Sequence, residues 1–233
     1  MYKKYYKRVF DFCMSLLALI VLSPILIILI VIGAAAMGGN PFFVQPRPGK
    51  KDEFGNERIF KLIKFRTMNN KRDENRKLLP DDLRLTKYGK FLRKTSLDEL
   101  PELINILKGD MSIIGPRPQL VQDMVFMTKE QRKRHDIRPG LSGLAQVRGR
   151  NNISWEEKLE YDLEYIKDIT FWGDIKLIFA TVWKAFVKQE NIATDGMETA
   201  EDFGDYLLRI GAVDNQAYME CQKEAMELLS IGE

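Results

Sequence analysis

Charge disappears from the chain after Asp11 and does not return until Arg47. The strongly apolar part of that gap, residues 12–37, would form a continuous helix roughly 39 Å long. A hydrocarbon core is only about 30 Å thick, so the pattern predicts a membrane segment. Its apolar run is too long for a signal peptide. Ser23-Pro24 lies near the middle, where proline removes a backbone donor and crowds the preceding turn. With Ser23 as N-cap and Pro24 at the first helical position, the pattern predicts a helix-break-helix whose arms, each roughly 18 to 21 Å long, are too short to cross a bilayer. Basic residues stand on both flanks, Lys3, Lys4, Lys7 and Arg8 before and Arg47, Lys50, Lys51 and Arg58 after, and the positive-inside preference puts both ends on the cytoplasmic side. A re-entrant hairpin meets that condition. A proline-kinked spanning helix is the competing reading.

Beyond the apolar run the periodicity shortens. Residues 42–45 and 59–65 read as two strands of a small hairpin, with Gly55-Asn56 in the turn. Residues 69–82 are polar and read as loop, and residues 83–94 lead into a helix after Thr95, whose stripe of Leu100, Leu103, Ile104 and Leu107 ends at Lys108-Gly109. Residues 119–134 read as a helix, and the glycine-bearing residues 137–152 as a loop-rich element. Residues 155–169, with Trp155, Leu159, Leu163 and Ile166 on one stripe, and residues 174–188, with lysines at the polar margin, read as amphipathic helices that belong either in the core or at a membrane interface. A last helix is expected over residues 214–230. The organisation is a membrane segment (1–40), a catalytic body (41–188) and an acidic extension (189–233).

Charge sharpens this division. The chain has a net charge of +3, but residues 189–233 carry 11 Asp/Glu against 2 Lys/Arg, leaving 34 basic against 22 acidic residues in 1–188. A basic body suits an anionic membrane face or a phosphorylated substrate. Nucleic acid is the competing partner, and the chain carries no RNA- or DNA-binding signature. Cys13 and Cys221 make no disulfide framework or zinc-ligand spacing. His135 is the one histidine, with a surface or loop role as its default reading.

The chemistry-bearing stretch is TSLDELPELINILKGDMSIIGPRP, residues 95–118. Asp98 and Glu99 are adjacent, so on a helix they point roughly 100° apart and take separate roles rather than share one proton. An ionised aspartate can attack phosphorus while a second carboxylate holds a hard cation such as Mg²⁺ against phosphate oxygens. Anion attacking anion needs cations nearby: Lys64, Arg66, Arg93, Arg117, Arg138, Arg148 and Arg150 are the candidates. The bland alternative is a capping box from Ser96 to Glu99 with Pro101 in the first turn. The chain has no GxxxxGK[ST] phosphate loop, GxGxxG or DxD, and Asp202-Phe203-Gly204 matches a kinase triplet without the other kinase elements.

Read together, KRVFD, the Ser23-Pro24 pair, FVQPRPG, FKLIKFRTM, SLDELPELINILKGDMSIIGPRP, RHDIRPGLSGLAQVRGRNNISW and Tyr161-Asp162 make the chain resemble the bacterial monotopic phosphoglycosyl transferases, most closely the small enzymes of N-glycan initiation. The resemblance runs over about residues 2–174. It implies a mostly helical α+β fold with a re-entrant membrane helix, interfacial amphipathic helices and a small β-hairpin. It implies Asp98 as nucleophile, Glu99 as its partner and Mg²⁺ ligand, Arg93, Arg117 and Arg150 at the substrate phosphates, Lys64 and Arg66 in the KFRTM-like motif beside them, and Ser23-Pro24 at the membrane re-entry. The reaction implied moves a sugar-1-phosphate from a UDP-sugar to polyprenol phosphate (undecaprenyl phosphate) with release of UMP, among membrane lipids on the cytoplasmic face of the bacterial inner membrane. A catalytically silent membrane scaffold for glycan assembly is the alternative. The extension 189–233 exceeds the small-enzyme pattern, and its residues leave open a homo-oligomer contact, regulation of the site, or recruitment of a downstream glycosyltransferase.

Overall fold

The computed structural model describes residues 1–149, 153–184 and 201–231. A π-helical lead, Tyr2–Tyr6, runs into α1, Lys7–Met37, which stops where Gly38 turns left-handed at φ 64°. Among the described residues this is the one helix long and apolar enough to cross a membrane, with a mean hydropathy of 3.2 over its most apolar 18 residues. Contrary to the expected break, α1 continues through Ser23-Pro24. Proline lacks the N–H that would reach the carbonyl of Ile20, and Ser23 is not an N-cap: its Oγ donates to that carbonyl at 2.7 Å. The acceptor stranded by proline is thereby satisfied inside the helix.

One stripe of α1 faces the protein along its length. Lys7, Asp11, Ser15, Ala18, Leu22, Leu26, Leu29 and Gly33 recur every three or four residues and pack on the body, while Leu17, Ile20, Val21, Ile27, Ile28 and Val31 point outward and are exposed. The stripe is polar at its start. Asp11 accepts from Ser112 Oγ at 2.6 Å and from the Ile113 amide at 3.1 Å, and Lys7 Nζ lies 2.6 Å from Asp174. Farther along, the Leu29 carbonyl accepts from Tyr88 Oη at 2.8 Å.

The expected hairpin is present. β1, Phe42–Lys51, and β2, Glu57–Phe65, pair antiparallel from Phe42 opposite Phe65 to Lys51 opposite Glu57. Asp52 Oδ1 accepts from the Phe54 and Asn56 amides to close the turn. The chain continues through α2, Asp81–Arg84, and α3, Lys87–Thr95, to α4, Glu102–Lys108. Asn105 of α4 is fully buried and locks the helix to the hairpin, accepting from the Ile63 amide at 3.0 Å and donating to the Lys61 carbonyl at 2.8 Å. Phe60, Leu62, Leu103, Ile106 and Met111 form the core between hairpin, α4 and α1.

After α4 comes β3, Ser112–Ile114, then α5, Val121–Met124, and β4, Gly140–Ser142, which pairs parallel with β3 and was not anticipated from the sequence. The single helix expected over residues 119–134 is instead α5 followed by a separate 3₁₀ turn, Gln131–Asp136. Side chains divide it: Asp123 accepts from the Leu120 amide at 3.0 Å, and Thr128 and Gln131 exchange hydrogen bonds with each other's amides. His135, on that turn, is buried between Glu57 and Arg134 rather than at the surface. Then follow α6, Leu144–Arg148, α7, Trp155–Lys167, and α8, Phe171–Trp183. The two amphipathic helices part company here. α7 buries Trp155, Leu159, Asp162 and Tyr165 as a core helix, whereas α8 exposes Trp172, Phe179, Val182 and Trp183. Finally α9, Phe203–Arg209, and α10, Asn215–Ile231, fold back onto α5.

Asp174 joins α8 to the membrane helix. It accepts from Lys7 Nζ and Tyr2 Oη on one oxygen and from Tyr165 Oη on the other. Replacing Asp174 by alanine leaves the buried Lys7 ammonium with only Asp11, 4.0 Å away, and strips Tyr2 Oη of its acceptor, so the detergent-solubilised protein should lose ~3 kcal/mol of stability, measured by denaturant unfolding. Replacing the exposed Lys176 should change it by less than about 0.5 kcal/mol.

Candidate active site

Between α3 and α4 the chain makes a single 3₁₀ turn, Leu97–Glu99, so neither carboxylate lies on a regular helix. The turn is set by Ser96, a non-glycine residue at φ 56°, whose amide closes α3 by donating to the carbonyls of Leu92 and Arg93. The capping box does not form. Ser96 makes no side-chain cap, and Glu99 turns toward cations: its Oε1 lies 2.7 Å from Arg117 Nη2 and 3.1 Å from Lys64 Nζ. Among the described residues no donor reaches its Oε2.

Each cation arrives from a different element. Lys64 projects from β2, whose register puts it opposite Phe43. Arg93 comes from α3, brought in by a close crossing: a Cβ at Gly89 would sit 2.0 Å from the Thr67 carbonyl, so only glycine lets α3 approach the end of the hairpin. One turn later Arg93 Nε donates to Thr67 Oγ1 at 3.2 Å. Arg117 stands in the Gly115-Pro116-Arg117-Pro118 turn that leaves β3, held by its own backbone. The Arg117 carbonyl accepts from Arg134 Nη2 at 2.6 Å, and the Pro118 carbonyl from Arg47 Nη1 at 3.3 Å. Arg134, 1% exposed, is itself paired with Asp162 at 2.6 Å.

Adjacent in sequence, the two carboxylates titrate in opposite directions. Burial, and next the charge of Glu99, push Asp98 up to about 6 against the pull of Lys64, Arg117 and Arg93. Burial also acts on Glu99, but Arg117 and Lys64 outweigh it and hold this group well below the usual carboxylate range. The arrangement keeps one carboxylate pinned and ionised beside another that no described side chain binds directly.

Of the residues singled out from the sequence, Asp98, Glu99, Lys64, Arg117 and Arg93 converge. Arg66 follows Lys64 by two residues and is fixed by its amide donating to the Pro41 carbonyl at 2.7 Å. Arg138 is used elsewhere, donating to the Gly109 carbonyl at the end of α4, and Arg148 is exposed beside Tyr161 and Glu164. Arg150 lies outside the described residues. Sequence reasoning missed Glu102, whose Oε1 is 3.1 Å from Lys64 Nζ and which is 3% exposed. Burial and the nearby Glu99 raise it to about 7 despite Lys64. Its spacing of three residues from Glu99 was the available signal. Thr67 and Arg47 were also missed as supports of the site.

A titration tests this electrostatic frame. The ¹³C carboxyl signal of Asp98 should titrate with a midpoint near 6, and Arg93→Gln, which removes a cation favouring the ionised form, should move the midpoint upward.

Comparison with known proteins adds a family. Residues 2–188 match the model of a family described as bacterial sugar transferase. The uncharacterized sugar transferase EpsL of Bacillus subtilis (strain 168) is 43% identical over 197 residues, covering 84% of this chain and 95% of the relative. The UDP-glucose:undecaprenyl-phosphate glucose-1-phosphate transferase of Klebsiella pneumoniae is 37% identical over 194 residues, covering 79% of this chain and 41% of that longer protein. The exopolysaccharide production protein ExoY of Sinorhizobium fredii (strain NBRC 101917 / NGR234) is 35% identical over 193 residues, covering 76% and 83% respectively.

Proposed function

The chain belongs to the bacterial sugar transferase family, and from that premise we propose that it is a phosphoglycosyl transferase moving a sugar-1-phosphate from a UDP-sugar to polyprenol phosphate through an Asp98 ester. Two relatives named as UDP-glucose:undecaprenyl-phosphate glucose-1-phosphate transferases support the substrate classes. The observation that carries the mechanism is the Asp98-Glu99 turn gathered among Lys64, Arg93 and Arg117.

In the first half-reaction an oxygen of ionised Asp98 bonds to the β-phosphorus as the bond from that phosphorus to the bridging oxygen breaks, and UMP leaves with the bridging oxygen. The sugar phosphate is now esterified to Asp98. In the second, an oxygen of polyprenol phosphate bonds to the same phosphorus, the bond to Asp98 breaks, and the carboxylate is restored. Lys64, Arg93 and Arg117 orient the diphosphate and offset its charge. With Asp98 near 6, the attacking form predominates at neutral pH.

Mg²⁺ fits the donor set. That ion commonly takes one or two carboxylates and completes its shell with substrate phosphates and water. Glu99 is held ionised and its Oε2 has no donor among the described residues, so Glu99 would be its protein ligand. When bound, the ion neutralises charge on the phosphoryl oxygens.

Re-entry of α1, with both ends on the cytoplasmic side, is supported by its packing. Lys7 and Gly33 both touch the same body, although some 39 Å of helix separates them, more than the thickness of a hydrocarbon core. A helix crossing the membrane would carry one end away. The exposed aromatic face of α8 supports an interfacial position for that helix.

Asp98→Asn should abolish UMP release and lipid product together, and an acid quench of wild type with donor labelled in the sugar should leave the label on the peptide containing Asp98. A silent scaffold would release no UMP in either protein, and a non-covalent transferase would turn over without labelling. For topology, single cysteines at Lys3 and Asn40, with Cys13 and Cys221 replaced by serine, should both resist an impermeant maleimide in intact cells and both react once the membrane is opened. Labelling of one end alone in intact cells would mean that α1 spans.

A further inference from the structure

Residues 201–231 lie beyond the residues matched by the family model, yet they are built into the segment that follows the Arg117 turn. The link runs through Asp123. One of its oxygens accepts from the Leu120 amide at 3.0 Å, closing the start of α5, and the other accepts from the Phe203 amide at 2.9 Å, closing the start of α9. Beside it Gln122 Nε2 donates to Asp202, and Trp155 Nε1 donates to the Glu201 carbonyl at 3.1 Å. Phe203, 3% exposed, packs on Trp155 with ring centroids 5.0 Å apart. A Cβ at Gly204 would fall 2.4 Å from the Phe126 ring, so α9 sits directly on the far end of α5. α10 completes the enclosure with Ala225, 2% exposed, against Val121, Met124 and Val125.

α5 has four residues, too few to hold a helix by its own hydrogen bonds, so its order rests on what packs against it. It begins four residues after Arg117, and the intervening Pro118 carbonyl is fixed by Arg47. We propose that α9 and α10 form an intramolecular clamp that positions Arg117 against Glu99, with Asp123 and Phe203 as positioning residues that touch neither substrate. The clamp rests on the transferase reading, since Arg117 matters only if the Asp98-Glu99 turn reacts.

The test uses the full-length protein. Phe203→Ala should lower kcat for UMP release by about tenfold, and Phe203→Tyr, which keeps a ring against Trp155, should restore most of it. In an Arg117→Gln background Phe203→Ala should cost less than about twofold, since residues acting through one group are not additive. The paired variant Gln122→Ala, Asp202→Ala, which removes only a polar contact at the clamp, carries the same comparison if Phe203→Ala does not fold. An equal loss in both Arg117 backgrounds would overturn the clamp and leave the transferase reading standing. A wild type that releases no UMP would instead overturn the transferase reading and the clamp with it.

Discussion

The carboxylate of Asp11, buried near the start of a helix that is apolar beyond it, is the contact on which the site depends. It takes the hydroxyl of Ser112 and the amide of Ile113, the first two residues of β3. β3 pairs with β4 through the Gly115 amide to the Ser142 carbonyl, and where it ends the chain enters the turn bearing Arg117. Arg117 in turn reaches Glu99. A charge on a membrane helix is costly without partners, so Asp11 can be buried only where those donors stand. Satisfying it fixes the helix to the strand that aims the arginine.

The second organising constraint is the balance of charge within the turn. Asp98, Glu99 and Glu102 bring three carboxylates near Lys64, Arg117 and Arg93, and Lys64 is shared between Glu99 and Glu102 at 3.1 Å from each. Because Arg117 and Lys64 converge on one oxygen of Glu99, the cationic field is spent mainly there. Asp98 and Glu102 remain raised, to about 6 and about 7. Identical chemistry one residue apart thus becomes two different groups, as the separate roles inferred from their divergent directions require.

Much of this was legible in the chain. The hairpin followed from two apolar runs around a glycine turn, and the carboxylate pair with its arginine turn stood out by residue type. The break at Ser23-Pro24 was not legible, because proline's missing donor was counted without asking whether a neighbouring hydroxyl replaces it at Ile20. The body-facing stripe of α1 was hidden by surroundings nearly as apolar as itself. Likewise α5 and the parallel β3–β4 pair depend on contacts between distant residues, Asp123 with Phe203 and Ser112 with Gly140, that no local pattern announces. The DFG triplet, set aside as a chance match to kinases, supplies the aromatic anchor of the C-terminal helices.

The hairpin touches both the long apolar helix and the carboxylate turn. Phe43 lies directly opposite Lys64 in the antiparallel register, on the same face, and is exposed. Its neighbour Phe42 stacks on Phe65 at 5.5 Å, and both belong to the cluster holding Leu26, Leu29 and Ile30 of α1. Successive residues of a strand face opposite sides, so the Phe42–Phe65 pair packs the hairpin on α1 from one face while Lys64, opposite exposed Phe43, reaches Glu99 from the other. One hairpin thereby ties the long apolar helix to the charged turn, since the first packs it and it carries a cation of the second.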